Sequence, residues 1–185
     1  MSVTVTPDTF QYVFFDSALT QRVADDLVSS MRLTDREIRI EVDETTPLAR
    51  IRVSVPTDSE PITIVAQSGA FEDTRRPRHQ SEAATATSLG RVLYRVADRL
   101  HGGFGEAPAD DQLTLAQMAA WETYCVGRLE RLGIAVNQQR WRYNFRNRHG
   151  FSDFGDAAFE QLWSSNGVTW GELTAISDAA IGDRS

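Results

Sequence analysis

Between Glu37 and Val42 the chain reads EIRIEV, with apolar and charged residues in strict alternation. That period of two puts Ile38, Ile40 and Val42 on one face of a strand and Arg39 and Glu41 on the other, which suits a sheet with one wet face. Arg50-Ile51-Arg52-Val53-Ser54-Val55 repeats the alternation, and Ile62 to Val65 is a third short apolar run. Together they read as an antiparallel meander, with Pro47, Pro56 and Pro61 at strand ends, where a missing N–H costs least. Arg39 and Glu41 would then lie across from Arg50 and Arg52, each opposite-charge pair contributing about 0.2–1 kcal/mol.

Upstream, Phe10 to Phe15 reads as a strand with Tyr12 and Phe14 on one side, followed by Asp16 and Ser17 as a cap for a helix over Ala18 to Met31. Leu19, Val23, Leu27 and Met31 recur there at helical spacing. From Ser81 onward the helical period dominates. Ala86, Leu89, Val92, Leu93, Val96 and Leu100 form an apolar stripe that Gly102-Gly103 ends. Thr114 with Gln117 has capping-box spacing ahead of a helix whose inner side is Leu115, Met118, Cys125, Leu129 and Leu132, closed by Gly133. A further helix starts near Asp153 with Phe154, Ala158 and Leu162 inward. A last one starts at Thr169, capped by Glu172, with Leu173 and Ile176, and the tail GDRS is expected to fray.

The fold class expected is therefore α+β: a small antiparallel sheet with an early helix, then a mainly helical C-terminal half. A length of 185 residues fits one domain, with subdomains over 1–104 and 112–182 joined by the Pro, Gly and acid-rich stretch GEAPADDQ. The 41% hydrophobic and 24% charged fractions place the whole chain among folded rather than disordered sequences.

Charge and cysteine usage narrow the function classes. A formal net charge of −7 argues against a broad nucleic-acid footprint, which needs concentrated positive surface. All 19 basic residues are arginine, so every cation is a planar fork suited to carboxylate or phosphate, and no lysine exists to act as base or Schiff-base amine. The single cysteine, Cys125, excludes an intrachain disulfide and reads as a small hydrophobe on a helix. With no basic region and no long apolar run at the amino end, the expected location is cytoplasmic and no membrane partner is expected.

Two segments concentrate the arginines. RWRYNFRNRHG, from Arg140 to Gly150, holds Arg140, Arg142, Arg146 and Arg148 among Trp141, Tyr143 and Phe145, with His149 at its end. A strand would separate the aromatics from the arginines; a helix would stack Arg142 on Arg146 beside Trp141 and Phe145. The β-propensity of aromatics and the cleaner faces favour the strand. The loop over Glu72 to Gln80 supplies Arg75, Arg76 and Arg78 with His79.

With excess acid in the chain, these arginines are readily paired within the fold, for example with Asp153, Asp156 or the Glu72-Asp73 loop; three functions are open to those left unpaired. The first is binding of a protein surface or acidic small molecule through the arginine-rich segments, with carboxylate or phosphate held bidentately. An interaction module of this kind would show an exposed apolar patch or a homodimer contact containing Trp163 or Trp170. The second is an enzyme acting on an anionic substrate in a pocket formed by Arg75–His79 and Arg140–His149, with the imidazoles of His79 and His149 moving a proton. The third is binding of single-stranded nucleic acid by interleaved aromatics and arginines, which the net charge disfavours.

Other chemistry lacks its residues. Among His79, His101 and His149 there is no H-E-x-x-H spacing, and His149 with Asp153 and Asp156 makes a turn histidine and two first-turn carboxylates rather than a metal site. No G-x-S-x-G elbow, G-x-G-x-x-G or phosphate-loop run occurs, so no cofactor is expected.

Overall fold

The computed structural model describes residues 2–54 and 60–182. Val55 and Pro56, expected at the end of a strand, and Asp183, Arg184 and Ser185 of the tail lie outside the described residues. The chain divides into two compact units, Met1–Tyr94 and Arg95–Ser185.

The first unit holds a strand β1 (Ser2–Thr6), helix α1 (Ser17–Ser30) and strands β2 (Glu37–Asp43), β3 (Ile51–Val53) and β4 (Ile62–Gln67). The wet-face alternation is present: Ile38, Ile40 and Val42 of β2 and Ile62, Ile64 and Ala66 of β4 are buried, as are Val3 and Val5 of β1. Asp16 caps α1 as expected, its carboxylate accepting from the Ala18 N–H at 2.9 Å. Val23, Leu27 and Met31 are buried.

The fold class is α+β, and the pairing within its sheet is mixed. Strand order is β1-β2-β4-β3, with β1–β2 and β2–β4 parallel and only β3–β4 antiparallel. Alternation specifies which face is buried, but it carries no information on partner or direction. Helix α1 supplies the crossover that lets β1 and β2 run parallel. Because β4 lies between β2 and β3, Arg39 and Glu41 register with Thr63 and Val65 instead of Arg50 and Arg52.

The run Phe10 to Phe15 is not a strand; it makes a single bridge, Phe14 to His79. Its backbone is satisfied otherwise, because the Glu44 carboxylate accepts from the N–H groups of Gln11 and Tyr12, both at 2.8 Å. The segment Glu72 to Gln80, expected as a loop, is a small hairpin of β5 (Glu72–Asp73) and β6 (Arg76–Gln80). Helix α2 (Glu82–His101) follows, with Leu89, Val92, Leu93 and Val96 fully buried. It contributes its last residues, from Arg95, to the second unit.

The second unit is helical among its described residues: α3 (Leu115–Arg131), α4 (Gln138–His149), α5 (Asp153–Ser164) and α6 (Trp170–Gly182). Both capping boxes form: Thr114 with Gln117, and Thr169 with Glu172. Helix α3 packs against α4, α5 and α6 around Trp121, Leu129, Phe145, Phe159, Leu162 and Leu173. Leu100, Leu115, Leu132 and Phe154, expected inward, are exposed. Each sits within a turn of a helix end, where the stripe runs past the layer it packs on.

The strand expected over Val136 to Arg148 is instead helix α4. A lone strand in a unit whose described residues hold no other strand would leave its ladder groups unpaired, a cost that overrides β-propensity. Local signals support the helix. The Asn137 side chain accepts from the Arg140 N–H, and Gly150, at φ 106°, ends it. In helical form Phe145 and His149 stack one turn apart and are both buried.

The α3–α5 contact depends on Gly127, where an added Cβ would lie 2.8 Å from the Trp163 carbonyl carbon. Helix propensity alone predicts that Gly127→Ala stabilises by about 1 kcal/mol. We expect the opposite, a loss of about 2 kcal/mol from the collision. Urea denaturation checks this, with Gly171→Ala in α6, where nothing lies within 4 Å, as the control expected to be neutral or slightly stabilising.

Candidate functional site

In the first unit the β5–β6 hairpin presents the first arginine segment. Phe71, fully buried, anchors its base, and Ser81 closes it by donating to the Phe71 carbonyl at 2.8 Å. Gln80 ties the same base to α1: its carbonyl oxygen accepts from the Asp16 N–H at 2.9 Å and its amide donates to Thr20 at 2.8 Å. Asp73 turns the chain by accepting from the Arg75 N–H at 2.9 Å. The register shift between Glu72 and Asp73 is accompanied by a left-handed backbone at Arg78, φ 64°.

Arg75, Arg76 and Arg78 are all exposed, and no carboxylate pairs with any of them among the described residues. Phe14, also exposed, lies beside Arg78. Its N–H donates to the Arg78 carbonyl at 2.8 Å, the Arg78 guanidinium sits 5.3 Å from its ring centroid, and the His79 ring is 4.9 Å away. His79 Nδ1 lies 3.2 Å from the Pro77 carbonyl, which can only accept, so the proton is on Nδ1. Exposed Tyr12 adds a second aromatic two residues from Phe14.

In the second unit the arginines of α4 divide into two sets. Arg142 pairs with Glu160 of α5 and covers the Phe159 ring at 4.7 Å. Arg146 grips Asp156 with two hydrogen bonds of 2.7 Å, and this bond to Arg146 holds the Asp156 carboxyl below its ordinary range. These two fasten α4 to α5. Arg140 and Arg148 are exposed and carry no such pair among the described residues, and exposed Tyr143, Phe151 and Phe154 share this part of the unit, with Tyr143 and Phe151 edge to face at 5.9 Å.

His149 belongs to the interior. Its ring stacks on Phe145 at 3.8 Å, Nδ1 lies 3.1 Å from the Phe145 carbonyl, and Nε2 lies 2.7 Å from the Ser177 hydroxyl. It is fully buried, so both ring nitrogens are engaged within the fold and closed to solvent. Trp163 is likewise buried and donates to Glu130 at 2.8 Å, while Trp170 packs against Phe104 and Trp121. The exposed large apolar side chains of this unit include Tyr143, Phe151 and Phe154, with Leu100, Leu115 and Leu132, and not Trp163.

A buried ionic cluster on the last turns of α2 was not anticipated by the helical stripe. Asp98 accepts two bonds of 2.8 Å from Arg128 and one of 2.8 Å from the Trp121 indole. Arg128 covers the Tyr124 ring at 3.7 Å. Three residues before Asp98 and one after it, Arg95 and Arg99 converge on Asp110. Burial raises the Asp110 carboxyl, but Arg95 and Arg99 outweigh it and hold it below the usual carboxylate range. The signal in the sequence was three charges at i, i+3 and i+4, Arg95, Asp98 and Arg99, interleaved with an apolar stripe.

Cys125 is fully buried, and burial pushes its thiol up to about 12. An open groove of about 430 Å3 lies between Gln161, Asn166, Val168 and Ile176, with Glu172 at its edge already bound to Thr169. Among the described residues no group of three or more His, Cys, Asp or Glu is placed to hold a metal ion, and no helix is long and apolar enough to cross a membrane. Comparison with protein families, with curated proteins and with solved structures finds no match to this chain.

Two outcomes follow. Cys125 is expected to resist iodoacetamide at pH 8 in the native protein and to react fully in denaturant, as read by mass spectrometry, because the thiolate fraction is negligible. Asp110, whose carboxyl titrates lower in the folded than in the unfolded chain, contributes stability that is complete above about pH 4 and is lost as pH falls through the folded value. Asp110→Asn is therefore expected to lower stability at pH 7 and to flatten its decline below about pH 4 in urea titrations.

Proposed function

We propose that this chain is a recognition module that docks an acidic protein segment on the β5–β6 hairpin. The observation that carries the reading is a set of three exposed guanidinium groups on one short hairpin, Arg75, Arg76 and Arg78, with no carboxylate partner among the described residues and with exposed Phe14 against Arg78. Elsewhere the chain neutralises its arginines when a carboxylate is within reach, as Arg142 and Arg146 do on α4. Guanidinium forks bind carboxylates bidentately, and an aromatic ring beside them accepts an apolar or cationic neighbour of the bound acid. The hairpin is open, which suits a side chain presented on a protein surface better than an enclosed small molecule.

The α4 surface with Arg140, Arg148, Tyr143, Phe151 and Phe154 repeats this combination of cation and aromatic. Exposed pairs are worth about 0.2–1 kcal/mol each and are screened by salt, so docking on the hairpin is expected to be weak and salt-sensitive.

Fluorescence anisotropy with a labelled Glu-rich peptide containing leucine tests the reading, against a neutral peptide of equal length and a single-stranded oligonucleotide. Binding to the acidic peptide is expected, with affinity reduced about tenfold or more in the triple variant Arg75→Glu, Arg76→Glu, Arg78→Asn. Asn is used at position 78 because it tolerates the left-handed backbone. Affinity unchanged in that variant would remove the hairpin as the site, and preference for the oligonucleotide would favour nucleic acid.

A further inference from the structure

We propose that Arg95, Arg99 and Asp110 form a binding site for one small oxyanion, a carboxylate or a phosphate. This goes beyond the docking reading and does not rest on it. Arg95 and Arg99 lie one helical turn apart on α2, and both reach the same carboxylate. Arg95 donates to Asp110 Oδ2 through Nε at 3.2 Å and Nη2 at 3.1 Å, and Arg99 donates to Oδ1 through Nη2 at 2.7 Å. The two arginine side chains are 4% and 7% exposed.

Charge does not balance within this cluster. Two cations share one carboxylate, and the nearby Asp98 is already consumed by Arg128 and Trp121. The partial negative charge at the C-terminal end of α2 offsets part of the excess, since Arg95 and Arg99 stand in its last two turns. It does not satisfy the donors: Nη1 of Arg95 and Nη1 of Arg99 are both buried with no hydrogen-bond partner. Buried donors of a charged group are costly to leave unmade, and one anion would supply both acceptor atoms and the missing charge.

The donors are also held in place before any ligand arrives. Arg99 is fixed by the Pro108 carbonyl at 2.7 Å and by the Trp121 ring at 4.7 Å, and Arg95 by its two bonds to one oxygen. Such preorganised forks suit planar carboxylates and phosphate oxygens alike. Asp110, 24% exposed, is the member of the three that reaches solvent, and it lies in the Gly- and Pro-containing connection between α2 and α3. That side is the route by which an anion enters.

Thermal unfolding of the full chain tests the site, with inorganic phosphate and acetate as separate probes and sodium chloride at matched ionic strength as reference. A rise in Tm of about 5 °C near 100-fold over Kd is expected with at least one probe and none with chloride, and the two arms distinguish phosphate from carboxylate. Asp110→Asn is expected to melt lower in chloride, yet to gain more from the effective probe than the wild type, because the internal carboxylate no longer shares the two cations. Arg95→Gln and Arg99→Gln are expected to abolish the response, while the hairpin variant retains it. Should the glutamine variants fail to fold, the opposite signs expected for Asp110→Asn still decide. Wild type and Asp110→Asn both unresponsive to both probes, or a response that survives Arg99→Gln or is lost in the hairpin variant, would overturn the site.

Discussion

The pair between Asp98 and Arg128 is the contact on which the second unit depends. Asp98, 4% exposed, receives three donors on its two oxygens, one from the Trp121 indole and two from the Arg128 fork. Burial alone would disfavour the Arg128 cation, but Asp98 holds its proton on more tightly than in water. Removing one partner of such a buried pair typically costs about 3–5 kcal/mol, although an apolar pair of equal volume can be as stable. What the pair supplies here is position. It ties the end of α2 to α3, and the Tyr124 ring under Arg128 extends the tie, because its hydroxyl accepts from the Gly167 N–H at 2.8 Å in the segment between α5 and α6.

Much of this architecture is legible in the residues. The wet and dry faces of β2 and β4, the Asp16 cap, the Thr114–Gln117 box and the Thr169–Glu172 box are local features, and local physics decides them. Partner choice in the sheet is not local: a strand alternating Ile with Arg is equally compatible with parallel and antiparallel neighbours. The same limit explains α4. Its residues separate well on a strand, yet in a unit whose described residues otherwise form helices, Phe145 and His149 find burial only in helical register. Asp98 was hidden for a related reason, since a charge inside an apolar stripe reads as a flaw until its partner, 30 residues on, is known.

The arginines carry the functional account because they fall into two populations. Arg95, Arg99, Arg128, Arg142 and Arg146 spend their forks on carboxylates of the fold. Among the described residues Arg75, Arg76, Arg78, Arg140 and Arg148 do not, and the exposed rings of Phe14, Tyr143 and Phe151 lie on the same two segments or next to them in the fold. Composition alone cannot separate the sets, because every cation in the chain is the same residue type. Only the placement of Glu160, Asp156, Asp110 and Asp98 does so.

Side-chain NMR of the arginine Nε–Hε groups, recorded on the full chain during titration with the Glu-rich peptide, tests that division most directly. Signals of Arg75, Arg76 and Arg78 are predicted to shift with added peptide, while those of Arg128, Arg142 and Arg146 hold still because their carboxylates are already in place. Shifts confined to the paired arginines, with the hairpin signals unmoved, would contradict the account.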